Sequence, residues 1–126
     1  MTQADRAAIE AEMQSLVPTD MTTVYLVFLI RGSGWTPEES EELDRLQTKH
    51  LAHLKKLKEG GQIIMVGPCP DGGQLRGVCL YRVDSLEEAK ALAEADPAVQ
   101  AGRLAVEIHP WWVSASTLPS KKDKIS

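Results

Sequence analysis

The chain has 126 residues, enough for one domain with a modest core of its own. Its apolar share of 43% and charged share of 25% are ordinary for a globular protein, which sets aside fibrous and disordered classes. A net charge of -4 argues against a broadly basic face for phosphate backbones, though not against local basic patches, so nucleic acid is not an expected partner.

Residues 4–16 place Ile9, Met13 and Leu16 at helical spacing among charges, and the pattern predicts a short amphipathic helix ended by Pro18. Thr22 to Arg31 carries the strongest strand signal, stopped by Gly32-Ser33-Gly34. Both faces of this strand are apolar. Val24, Leu26, Phe28 and Ile30 line one, and Tyr25, Val27 and Leu29 line the other. Thr36-Pro37-Glu38-Glu39 reads as a helix start with a capping box and a first-turn proline. That helix is expected to reach Glu59, where Gly60-Gly61 stops it. Leu43, Leu46, Leu54 and Leu57 form its apolar stripe, with His50 in the middle and His53 at the edge, on the solvated flank. Lys55, Lys56 and Lys58 read as its wet face.

Gln62 to Val66 predicts a second strand closed by Gly67-Pro68, and Gly77 to Val83 a third. Ser85-Leu86-Glu87-Glu88 is a further capping box, opening a helix that ends near Asp96-Pro97 because the residue before proline avoids the α region. Residues 97–101 add a helical turn stopped by Gly102. Leu104, Val106 and Ile108 alternate in a fourth strand, and the polar tail from Ser114 is expected to be loose. This divides the chain into a helical extension (1–20), a main domain (21–113) and a tail (114–126).

The order β-α-β-β-α-β is the split-βαβ, ferredoxin-like pattern, an α+β fold with an antiparallel sheet. Right-handed crossovers put both helices on one sheet face. The other face needs a cover, and a second copy of the chain supplies one. The N-terminal helix folding over it is the competing arrangement. No apolar run reaches the roughly 20 residues of a membrane span, and residues 1–16 lack the apolar core of a signal peptide, so a cytoplasmic location without membrane contact is expected.

The two cysteines, Cys69 and Cys79, form no C-x-x-C pair, and Cys79 reads as a small core residue. No phosphate-loop motif occurs at the paired glycines, and the three histidines lack tight metal spacing, so no metal or cofactor is expected. Trp111 and Trp112 read as packing or dimer contacts, and His109, before Pro110, as structural. Trp35, just beyond a strand end, could form a pocket wall or pack internally. His50 has two readings. One is a core histidine bonded to backbone carbonyls. The other is a general acid/base at the floor of a pocket, oriented by a carboxylate. Asp96 is a candidate orienter, or simply the cap of the short turn that follows it.

Lys49-His50-Leu51-Ala52-His53-Leu54-Lys55-Lys56-Leu57, then Gly67-Pro68, Ala95-Asp96-Pro97, Gly102 and Pro110-Trp111 resemble the YciI-like (YCII-related) family over residues 23–113. The resemblance implies a dimeric α/β barrel of ferredoxin-like subunits and a His-Asp pair falling on His50 and Asp96. A related enzyme removes chloride from a chlorinated hydroxyquinol-type ring, and distant relatives isomerise lactones. The implied function is proton-transfer lyase or isomerase chemistry on a cyclic or aromatic oxygenated metabolite, with Gly67, Pro68 and Trp35 shaping the substrate site. A non-catalytic metabolite-binding or purely structural dimer is the alternative. One departure stands out. Many members carry an arginine three residues before the motif histidine, where this chain has Gln47, which leaves the charge of the substrate open.

Overall fold

The computed structural model describes residues 2–17 and 19–120. Pro18, expected to end the first helix, and Lys121-Lys122-Asp123-Lys124 of the tail lie outside the described residues.

The strand with two apolar faces, β1 (Met21–Arg31), sits inside a four-stranded antiparallel sheet of order β2-β3-β1-β4. Its partners are β3 (Leu75–Tyr81) and β4 (Leu104–Ser114), while β2 (Ile63–Pro68) forms the edge beyond β3. A strand with neighbours on both sides and cover on one face needs β-branched and aromatic residues, which β1 supplies. Tyr25, Val27 and Leu29 point into the core with Ile63, Cys79 and Tyr81. Each fully buried aliphatic side chain here contributes about 1.5–3 kcal/mol relative to exposure.

Three helices close that face: α2 (Glu41–Glu59), α3 (Leu86–Glu94) and the one-turn α4 (Pro97–Gln100). α2 presents Leu54 and Leu57 to the sheet. α3 buries only Ala89 and Ala93, small residues that let its backbone approach the strands closely. The result is the ferredoxin-like α+β arrangement.

The start of α2 differs from the expectation at Thr36. The cap is Ser40, whose hydroxyl accepts from the Leu43 amide at 3.1 Å. Two capping signals stand four residues apart, and a tertiary bond decides between them: the Thr36 carbonyl is taken by Arg103 at 2.9 Å. Glu41, Glu42 and Asp44 in the first turn and Lys56 and Lys58 in the last complement the helix dipole. At α3, Ser85 caps as expected, but Glu88 accepts from the Asp84 amide rather than closing the box on Ser85. β2 runs on through Gly67-Pro68 instead of stopping before them, since an edge strand tolerates a residue with no amide hydrogen. β3 begins and ends two residues earlier than expected.

The loop after β1 is strapped to the turn before β4. Gly32 and Gly34 donate to the Arg103 and Gly102 carbonyls at 3.0 and 2.8 Å, and a Cβ at Gly32 would run into the Gly102 oxygen. Gly102 itself has φ 78°, a left-handed conformation that suits glycine. The chain after Ser114, expected to be loose, is held as far as Pro119. Asp20 accepts from the Ser114 hydroxyl (2.7 Å) and the Ser116 amide, and Arg82 donates to the Pro119 carbonyl (2.6 Å).

The opposite sheet face collects Val24, Leu26, Phe28 and Ile30, with Val78, Leu80, Met65 and Trp111 in register beside them. Met65 and Trp111 are exposed, and α1 (Gln3–Ser15) buries none of its residues, so it does not cover this face. Among the described residues, no helix is long and apolar enough to cross a membrane.

Candidate active site

His50 lies on the third turn of α2, on the same stripe as Leu54 and Leu57, and is buried. Its partner is a carboxylate, not a backbone carbonyl: Nδ1–H donates to Asp96 Oδ2 at 2.6 Å. Asp96 is 1% exposed. Its place follows from local chemistry. The residue before Pro97 takes an extended conformation (φ -60°, ψ 126°), which breaks α3 from α4 and turns the side chain inward. The second oxygen, Oδ1, accepts from the Ala98 amide at 2.9 Å. Asp96 therefore both caps α4 and contacts the imidazole.

Two further ionisable side chains, Cys79 and Tyr81, feel the charge of Asp96. Burial, and secondarily the negative charge of Asp96, pushes the Cys79 thiol up to about 12. Burial likewise drives the Tyr81 phenol upward, with Cys79 and Asp96 adding to it. Both groups stay neutral, which leaves His50 as the ionisable partner that the buried carboxylate contacts. Carboxylate and imidazole so fixed select one tautomer, with hydrogen on Nδ1 and a lone pair on Nε2.

Nε2 has no hydrogen-bond partner among the described residues, yet it is not one of their sealed, unsatisfied polar atoms. His50 borders a cavity of about 650 Å³, a volume typical of small-molecule sites. Leu43, Leu46, Leu54 and Leu29 give it apolar walls. Trp35, Gly67 and Pro68 line the same cavity, so the structure gathers the residues singled out in the sequence around one space, with Asp96 one layer behind. A second cavity, of about 720 Å³, lies beyond the end of α2 and has no histidine on its walls.

Other positions fall differently. His53 is not a solvated flank residue. Its Nε2–H donates to the Leu92 carbonyl at 2.9 Å, satisfying one of the carbonyls left over at the end of α3. His109 packs edge-on to Phe28 (5.7 Å) and pairs with Glu107 at 3.1 Å, on the open sheet face and away from the cavity. Lys55 and Lys58 are exposed as expected, but they also stand on the cavity wall. Gln47 faces the cavity, whereas Arg45 does not line it. Sequence reasoning missed Arg76 and Arg103, which line it from β3 and from the turn before β4. Neither belongs to a periodic pattern. The available signal was their place beside glycines, Gly77 within β3 and Gly102 in the turn before β4.

Among solved structures, nine chains match this one. One is 5-chloro-2-hydroxyhydroquinone dehydrochlorinase from Burkholderia phenoliruptrix AC1100, in complex with 2,5-dihydroxybenzoquinone. It is 22% identical, with a TM-score of 0.54, over 70% of this chain and 92% of that one. At that identity the likeness establishes the fold. No curated protein gives a significant match. The sequence profile of the YCII-related domain matches residues 27–112, a span from within β1 to near the end of β4 that takes in His50, Asp96 and every residue lining the cavity. The chain belongs to the YCII-related domain family.

Proposed function

We propose that the chain is a small-molecule enzyme in which His50 moves a proton on a cyclic or aromatic oxygenated compound and Asp96 orients its ring. One observation carries this reading: a buried imidazole held at Nδ1 by a buried carboxylate, with Nε2 left open beside a cavity. That is the arrangement a general base needs, because the lone pair faces the substrate and the ring cannot turn away. Nε2 takes the proton of a ring hydroxyl. The O–H electron pair becomes a C=O bond, and the displaced ring electrons follow one of two courses. Both begin with the imidazolium returning its proton to a ring carbon, which by itself is an isomerase step. Where that carbon bears a leaving group, loss of a second ring-hydroxyl proton to Nε2 then expels it as an anion, a lyase step. The hydroquinone substrate named for the dehydrochlorinase is of this class.

A binding screen tests the proposal. Hydroxylated aromatics, quinones and lactones are added to the protein and thermal stability is followed. A ligand at 100 times its Kd stabilises by about 2.7 kcal/mol, worth about 10 °C in a domain of this size. Hits are then assayed for turnover with the wild type and His50→Gln. Turnover abolished by His50→Gln with folding intact supports the reading. Turnover that survives the substitution ends it.

The assembly is part of the proposal. We infer that a second copy covers the open sheet face, because the apolar row of β1 and β3 there, Val24 apart, is only half-buried and is flanked by the exposed Met65 and Trp111. Sedimentation equilibrium should give twice the chain mass, and Leu26→Glu should return a folded monomer. A wild-type monomer at micromolar concentration contradicts it.

A further inference from the structure

We propose that the ligand of the His50 cavity carries a planar oxyanion, held by Arg103 and Arg76. This rests on the assignment of that cavity as the substrate site and adds the charge of what enters it.

The charges on the cavity wall are of one sign. Lys55, Lys58, Arg76 and Arg103 line it together with His50, and no aspartate or glutamate among the described residues does. The lysines are exposed, and Lys55 lies 4.0 Å from Glu59, so they contribute a diffuse rim potential. The arginines differ. Both are half-buried, and both are held by backbone oxygens rather than by counter-charges. Arg103 Nη1 donates to the Thr36 carbonyl at 2.9 Å, and its guanidinium stands 5.8 Å from the Trp35 ring. Arg76 Nη1 donates to the Gly73 carbonyl at 3.3 Å. Among the described residues neither arginine has a carboxylate within ion-pair distance.

A guanidinium carries five donors, and a neutral carbonyl uses one. Removing such a group partly from water without an opposite charge is unfavourable, and the described residues supply none. Its planar fork matches a carboxylate, or the paired oxygens of an ionised hydroxyquinone, through two parallel hydrogen bonds. The same positive wall would favour charge that develops on a substrate oxygen as His50 takes a proton. Trp35 fits this scheme as a positioning residue. Arg31 stacks on it at 3.8 Å, the glycines of its loop are tied to Gly102 and Arg103, and Thr36 beside it fixes the Arg103 side chain.

The test uses three ring compounds of similar size, with affinities measured by calorimetry: 2,5-dihydroxybenzoate for a carboxylate, 2,5-dihydroxybenzoquinone for an ionised hydroxyquinone, and hydroquinone as the neutral control. At least one anion should bind tenfold or more tighter than hydroquinone, and which anion does so identifies the source of the charge. Raising the salt concentration should weaken that anion and leave hydroquinone unchanged. Arg103→Gln and Arg76→Gln should each reduce anion affinity at least tenfold. Arg103→Lys, which keeps the charge and can still reach Thr36, should lose less. Circular dichroism and urea midpoints establish that the variants are folded.

Neutral and anionic rings binding alike, anion affinity unchanged in the folded glutamine variants, or no anion binding at millimolar concentration would overturn the proposal. The two readings fail separately. Anion binding that needs Arg103, alongside turnover indifferent to His50→Gln, defeats the acid/base assignment alone. Hydroquinone binding and turnover that need His50 but not the arginines defeat the oxyanion site alone.

Discussion

Replacing Asp96 with asparagine exchanges one side-chain oxygen in the candidate site for an NH₂ group and should reverse the imidazole. The asparagine can keep its carbonyl oxygen on the Ala98 amide, where Asp96 Oδ1 now accepts at 2.9 Å. Its NH₂ then faces His50 Nδ1 in place of the carboxylate oxygen at 2.6 Å. Two donors cannot share that contact, so the ring hydrogen moves to Nε2 and Nδ1 becomes the acceptor. A charge-assisted bond gives way to a neutral one, which should cost about 1–2 kcal/mol of stability. Asp96→Ala removes both bonds in a site that is 1% exposed and should cost more, about 3–4 kcal/mol. The tautomer is the sharper readout. Long-range proton–nitrogen spectra of histidine-labelled protein should show hydrogen on Nδ1 of His50 in the wild type and on Nε2 in Asp96→Asn. With Nε2 occupied, base catalysis at the cavity should fall by about 10²–10⁴ while ligand binding changes little. The same tautomer in both proteins would refute the reasoning, because Asp96 would then not set the state of the ring.

Thiol chemistry should divide the two cysteines. At pH 8 a thiol reagent should modify the half-exposed Cys69 and spare Cys79, which reacts only on unfolding; two equivalents taken up by the native protein would contradict this. Because folding raises the Cys79 thiol from 9.0 to about 12, the unfolded chain releases a proton above pH 9 that the folded chain retains. Stability should therefore fall as pH rises from 9 toward 12, with Tyr81 acting in the same direction, and urea midpoints across that range measure it. Ser40→Ala should cost about 1 kcal/mol in urea unfolding and Thr36→Ala clearly less, since Ser40 makes the helix-capping bond. Gly32→Ala should cost about 1–3 kcal/mol by forcing the loop away from the Gly102 oxygen, and should alter tryptophan fluorescence as Trp35 shifts.

Local patterns carried the order of elements, the apolar stripe of α2 and the two-faced β1, because burial on one side of a helix or strand leaves a period in the residues. Periodicity places His50 inward but says nothing of what it meets; the helix break before Pro97 makes Asp96, 46 positions away, a candidate partner, and the family resemblance points to the same pair. What escaped was decided by contacts across the fold. Thr36 and Ser40 offer comparable caps, and the Arg103 bond to the Thr36 carbonyl settles where α2 begins. His53 sits at the stripe's edge on a helical projection, and only the docking of α3 brings the Leu92 carbonyl to it. Arg76 and Arg103 flank a strand glycine and a turn glycine and look like ordinary surface cations until the ends of β1, β2, β3 and β4 converge on one cavity.

Nε2 of His50 is, on this reading, the atom that meets a ligand in the cavity. Titrating histidine-labelled protein with 2,5-dihydroxybenzoquinone while following the ring nitrogens tests this directly. The Nε2 resonance of His50 should move to saturation while those of His53 and His109 stay in place. A His50 signal that stays fixed while the compound demonstrably binds would contradict it.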